Sequence, residues 1–205
     1  MNDQALPKLA TPWPKLLATP WEDVLARAAL VGESAALIQR DTDPAAAISR
    51  LEAAGFVTEA AKLMAHALPK RECVWWACMC ARHTTPADLP QADAAAVAGA
   101  EEWVRKQTDE SRREAFEHAQ TANFGTAEAW AAVAAFWSGD SMSPLGLPKT
   151  PPAPHLTGTA AIGSVTLAAV RTHPVRRDQR LQRFLASGRE IAAGGAGRLP
   201  AEDVG

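Results

Sequence analysis

Apolar residues recur along this chain at spacings of three and four, and no window alternates apolar and polar positions with a period of two. That pattern predicts an all-α protein with essentially no sheet. Residue chemistry marks where the helices start and stop. Thr19-Pro20 reads as an N-cap followed by proline at the first helical position, with Glu22 in the first turn. Asp43-Pro44 repeats the signal, and Ile48, Leu51 and Ala54 then share a face until Gly55 ends the helix. A helix over about 58–67 carries Ala60, Leu63, Met64 and Ala67 at helical spacing, and Pro69 opens another over about 70–82. Joined by two or three residues, these two are expected to pack as an antiparallel hairpin. Three more follow over 91–106, 109–122 and 126–138. Their inward faces are read as Ala92, Ala96, Gly99 and Trp103; Ala115, Phe116, Ala119 and Ala122; and Trp130, Val133, Ala134 and Trp137.

Five prolines (Pro144, Pro148, Pro151, Pro152, Pro154) then break the pattern over 138–156, which must be irregular or polyproline II. The stretch reads either as an ordered crossover, with Leu145, Leu147 and Leu156 packed down on the helices, or as a Pro-x-x-Pro ligand built on Pro148 and Pro151. Helices are expected again over about 158–171 and, after Pro174, over 175–193; the Gly-rich end, 194–205, reads as a flexible tail. At the other end Leu9-Ala10-Thr11-Pro12-Trp13 recurs as Leu17-Ala18-Thr19-Pro20-Trp21, and Pro14 prevents the first copy from continuing as a helix. Residues 1–18 are therefore expected to form an extended arm whose Trp13 either docks on the body or frays. The expected whole is an arm (1–18), a helical domain (19–193) and a tail (194–205). The domain is one compact unit of seven to nine helices packed as antiparallel hairpins, compatible with repeat-like stacking.

Composition changes this picture in two ways. Of 205 residues 47% are apolar, enough for a core, but alanine supplies 45 of them, so small-residue faces must bring helix axes close together. A formal net charge of −2 disfavours a strongly basic nucleic-acid binder. No apolar run reaches the ~18 residues of a membrane span, and Met1-Asn2-Asp3-Gln4 lacks the features of a secretory signal. Cys73, Cys78 and Cys80 are too few and too clustered for a disulfide framework. The expected setting is the reducing cytoplasm, without membrane insertion.

Candidate chemistry is sparse. In the stretch 70–83, charge sits only in the first and last turns, and Cys73 to Ala81 is apolar on all sides, the pattern of a helix enclosed by other helices. Trp75 and Trp76 point about 100° apart, so one anchors the core while the other meets a neighbouring layer, the arm or a partner. Cys73 and Cys80 lie about 10 Å apart along the helix axis, too far to share a zinc that needs each thiolate within about 2.3 Å. The three cysteines therefore read as small buried hydrophobes, with no metal or cofactor expected. Five histidines (His66, His83, His118, His155, His173) fall on different segments, and no phosphate-cradling loop, nucleophile elbow or zinc-protease motif is present, so no enzyme is expected. A ligand-binding or catalytic reading would need a cleft joining at least two of those histidines. Arg176, Arg180 and Arg183 fall at i, i+4 and i+7, an arginine stripe opposite Leu181, Phe184 and Leu185. It is either a solvated face or a surface for an acidic protein or nucleic acid.

The runs Ala67-Leu68-Pro69-Lys70-Arg71-Glu72-Cys73-Val74-Trp75-Trp76-Ala77-Cys78 and Ala129-Trp130-Ala131-Ala132-Val133-Ala134-Ala135-Phe136-Trp137-Ser138-Gly139, with the proline crossover, resemble a family of uncharacterised bacterial proteins over about residues 44–193. The resemblance implies an association with secretion gene clusters and assigns no role to any residue. The expected function is a non-catalytic helical adaptor or accessory protein that binds another protein. Its candidate surfaces are Trp13 on the arm, Pro148 and Pro151 on the crossover, and Arg176, Arg180 and Arg183. The alternatives are a nucleic-acid-associated regulator using the arginines, and a small-ligand binder or enzyme with a pocket between hairpins.

Overall fold

The computed structural model describes residues 13–202, and every regular element among them is helical. A 3-10 turn (Pro14–Ala18) leads into α1 (Trp21–Ala28) and the six-residue α2 (Gly32–Leu37). Then come α3 (Pro44–Ala53), α4 (Val57–Ala67), α5 (Lys70–His83), α6 (Gln91–Lys106), α7 (Asp109–Thr121) and α8 (Ala127–Trp137). After the crossover lie α9 (Leu156–Val170), a 3-10 turn (Pro174–Arg176) and α10 (Arg177–Ala192). The punctuation does what its chemistry dictates. Asp43, Thr108 and Thr126 each accept a hydrogen bond from the backbone N–H three residues on, at 2.9, 3.2 and 3.2 Å, satisfying donors that a helix start leaves orphaned. At α1 the cap is Pro20 itself, with no side-chain bond, one residue later than Thr19 predicts.

The centre is α5. Cys73, Val74, Trp76, Ala77, Cys78, Cys80 and Ala81 are all buried, enclosed by α6, α8, α9 and α10. The Trp76 indole N–H donates to the Phe184 carbonyl of α10 at 2.7 Å, which satisfies its one polar atom inside the core. The second enclosed helix is α9, packed among α4, α5, α8 and α10, where Ser164 donates to the Ala127 carbonyl at 2.7 Å. Small residues set these distances. A Cβ on Gly99 of α6 would lie 3.1 Å from the Ala115 Cα of α7, so the two backbones approach as closely as the missing side chain allows.

Helix neighbours in sequence pack as neighbours for α3/α4, α6/α7, α7/α8 and, across the crossover, α8/α9. The expected hairpin of α4 with α5 does not form. Leu68 and Pro69 both take extended backbone (ψ 140° and 151°) and direct α5 away, so α4 packs instead on α1, α3, α9 and α10.

Both ends differ from expectation. Residues 1–12, most of the proposed arm, lie outside the described residues. The remainder is not extended: 14–18 is a 3-10 turn with Leu16 fully buried, and Trp13 is half-buried against the core with the Arg189 guanidinium 5.8 Å from its ring centre. Nor is 194–202 a loose tail. The Ala196 carbonyl accepts from the Trp75 indole (2.7 Å), the Gly197 carbonyl accepts from the Ser187 hydroxyl, the Pro200 carbonyl meets His83 Nδ1, and Glu202 N–H donates to the His83 carbonyl (2.7 Å). The glycines let the backbone lie close on α5 and α10, and its carbonyls then meet side-chain groups of both helices. No helix among the described residues is long and apolar enough to cross a membrane.

Candidate functional site

The arginine stripe is not a surface stripe. Arg183 is exposed, but Arg180 is 2% exposed, hydrogen-bonded to Glu202 and to the carbonyls of Ala169 and Arg171. Arg176 reaches the same Glu202 carboxylate at 3.5 Å. The heptad-like spacing placed Arg180 correctly on the helix, but Glu202 returns over that face and covers it. Trp13 is likewise committed to the fold. Cys73, Cys78 and Cys80 are buried, and burial pushes the Cys73 thiol up to about 12 and the other two higher. His83 is turned to the Pro200 carbonyl with its ring edge-on to Phe184, away from any partnership with Cys80.

The crossover keeps Pro148 and Pro151 exposed while Pro152 is buried. Its base is closely held. The Met142 N–H donates to the Thr150 carbonyl (2.8 Å), and the Ser141 hydroxyl accepts from the N–H groups of Ser143 and Thr150 (3.1 Å each). Beneath it Arg112, a charged residue of α7 that is 2% exposed, donates to the carbonyls of Phe136 (3.2 Å) and Ser141 (2.7 Å) and pairs with Asp109. Leu145 and Leu147 do not pack down as expected. They stand 76% and 60% exposed at the tip, because the hydrogen bonds close the loop below them.

A second feature joins residues that sequence spacing does not connect. A cavity of about 150 Å3 lies between α1, α4, α5 and the start of α9, lined among others by Thr19, Arg27, His66, Lys70, Thr157 and Gly158. His66 is 95% buried from solvent (5% exposed), and no hydrogen bond from a described residue reaches its ring. Burial, and then Lys62, His155 and Arg27, lower its pKa to about 4. The Lys70 ammonium is held below its ordinary value by burial and by Arg27, and donates to the Ser138 carbonyl at 3.3 Å. Gly158 makes the arrangement possible, since a Cβ there would lie 2.4 Å from His66 Nδ1. An adjoining hollow lined by Arg27, Pro154 and His155 opens outward, so this cleft brings two of the five histidines together. His66 and His155 were individually visible in the sequence, but nothing there paired them or pointed to Gly158.

Comparison with curated proteins and with solved structures finds no significant match. The model of a family of unknown function, DUF6931, matches residues 47–192, and the chain belongs to that family.

Proposed function

We propose that the protein is a non-catalytic helical adaptor that docks the tip of its crossover loop into an apolar groove of another protein, a component of a bacterial secretion system. The observation that carries this reading is the pairing of a tightly bonded loop base with two leucines held out in water at its tip. Two large apolar side chains held out in water on an ordered loop contribute nothing to the fold, and such patches mark interaction sites. Exposed Pro148 extends the same edge, and its restricted backbone lowers the entropy lost on docking. The link to secretion rests on the resemblance of the two tryptophan-bearing runs and the crossover. With Arg180 turned inward, a nucleic-acid reading has only Arg176 and Arg183 of its stripe left on that face, and Arg176 is drawn toward Glu202.

A photocrosslinking residue at Leu147, in the native cell, identifies the partner, which is then purified and titrated. The expected result is a Kd weakened about tenfold or more by L145S/L147S and unchanged by R183E. A partner that discriminates R183E but not the leucine variant, or salt-dependent binding to DNA or RNA lost in R183E, would replace this reading.

A further inference from the structure

The cleft between α4, α5 and the first turn of α9 holds cationic and hydrogen-bond-donating groups, and no carboxylate lines it. Arg27 and Lys70 bring positive charge, and the carboxylate of Asp23, 3.0 Å from Arg27 Nη2, sits in the outer hollow. From α9 come the N–H groups of Thr157 and Gly158. Its fifteen-residue helix has no side-chain cap, and no backbone acceptor meets these two donors among the described residues. Helix starts of this kind present several donors and a partial positive charge to one point. His66 is the independent sign of a ligand: a polar ring 95% buried, lining the cavity, without a partner. Its ring nitrogens are open to the cavity, where a bound group would give them the partner the fold does not supply. The size limits the ligand. A cavity of about 150 Å3 is well below the ~300 Å3 at which pockets for drug-sized molecules begin, and it suits a group of about five heavy atoms.

We propose that this cleft is an oxyanion site that binds a phosphate or sulfate group, with the Thr157 and Gly158 N–H groups, His66 and Lys70 as its donors and Arg27 as a second cation. The outward opening beside His155 lets the group be either the free ion or the end of a small ester. The site borrows Pro154 and His155 from the end of the crossover but neither leucine of its tip, so it stands apart from the adaptor reading.

The test is a titration of the full chain at fixed ionic strength, followed by amide and imidazole NMR, with sulfate, inorganic phosphate and glycerol 3-phosphate as probes and chloride as the control. Saturable shifts at Thr157 and Gly158 in the millimolar range or below are expected. The His66 pKa, about 4 without ligand, should rise on binding, because the anion offsets the electrostatic effect of Lys62, His155 and Arg27 that helps to lower it. Sulfate keeps its charge across this range, so its affinity should increase as the pH falls through the bound-state pKa toward the unliganded value of about 4. K70Q, at an exposed position on the cleft rim, should weaken binding about tenfold without unfolding the protein. Preferential binding of glycerol 3-phosphate assigns the site to an ester, and equal binding of both phosphates assigns it to the free ion. No saturable shift with any probe, or shifts matched by chloride or unaffected by K70Q, would overturn the proposal.

Discussion

Arg180 and Glu202, 22 residues apart, form an ion pair withdrawn from water: Nη2 and Nε of the guanidinium lie 2.6 and 2.9 Å from one carboxylate oxygen, and the side chains are 2% and 4% exposed. The same guanidinium donates to the Ala169 and Arg171 carbonyls, so one side chain joins α10, the end of α9 and the chain beyond Gly197. E202A strands that charge and should cost about 3 kcal/mol in urea unfolding, more than the median surface pair of about 0–1 kcal/mol. The pH dependence has a fixed sign. Hydrogen bonding to Arg180 holds the Glu202 carboxyl below its ordinary 4.5, so its contribution is complete above 4.5 and is lost as the pH falls through the folded-state value. Equal stability of E202A and wild type at neutral pH would show that the chain end contributes nothing.

His66 gives a pH dependence from a different cause. Its folded-state pKa is lowered from 6.5 to about 4, chiefly by burial, so between these values the unfolded chain takes up a proton that the folded chain refuses. Stability should therefore decline as the pH drops from 6.5 toward 4, by about 3 kcal/mol at most. H66Q should lack that part of the decline, and the difference between the two unfolding curves at neutral and acid pH measures it. Parallel curves would mean that the ring is solvated.

The three cysteines should be inert while the chain is folded. Thiolate is the reactive form, and burial raises all three thiols, Cys73 to about 12. Iodoacetamide at mildly alkaline pH should leave the native protein unmodified by mass and add three groups in urea. Rapid native alkylation at any one of them would place it on an opening segment of α5.

Gln107 is the residue after α6, and its φ of 53° lies in the left-handed region, where a side chain is strained. Its N–H donates to the Trp103 carbonyl at 2.7 Å, a bond that glycine would keep. Q107G should stabilise the protein by about 1 kcal/mol, seen as a higher Tm, because the relief of strain exceeds the extra unfolded-state freedom. A lower Tm would mean that the Gln107 side chain makes a contact worth more than the strain.

The elements were legible in the sequence because their signals are local. Asp43, Thr108 and Thr126 sit beside the helices they cap, and the all-round apolar run from Cys73 to Ala81 needs an enclosing layer whatever supplies it. Tertiary closure was not legible. Arg180 at i+4 between two other arginines is indistinguishable from a surface residue until Glu202 arrives from outside the helix. The Leu68-Pro69 link suggested a hairpin by its length, whereas its extended backbone decides the direction of α5. The cleft draws Arg27, His66, Lys70 and Gly158 from four elements, and the absence of a side chain at Gly158 has no periodic signature.

The crossover separates two roles that a sequence reading merges, holding the loop and presenting its tip. Arg112 holds it, with its charge buried under the loop and its donors spent on the Phe136 and Ser141 carbonyls. Leu145 and Leu147 take no part in that work. L145S/L147S should therefore leave stability within about 0.5 kcal/mol of wild type, as surface changes do. R112M removes the donors while keeping much of the bulk, and leaves the Ser141 carbonyl without a partner while the Phe136 carbonyl keeps the Gly139 N–H. The Met142 and Thr150 amides, bonded to the Thr150 carbonyl and the Ser141 hydroxyl, should then exchange with deuterium about tenfold faster or more. Unchanged exchange in R112M would show that the loop is closed by its own serine and threonine alone. A loss of stability in L145S/L147S would show that the leucines belong to the fold rather than to a partner.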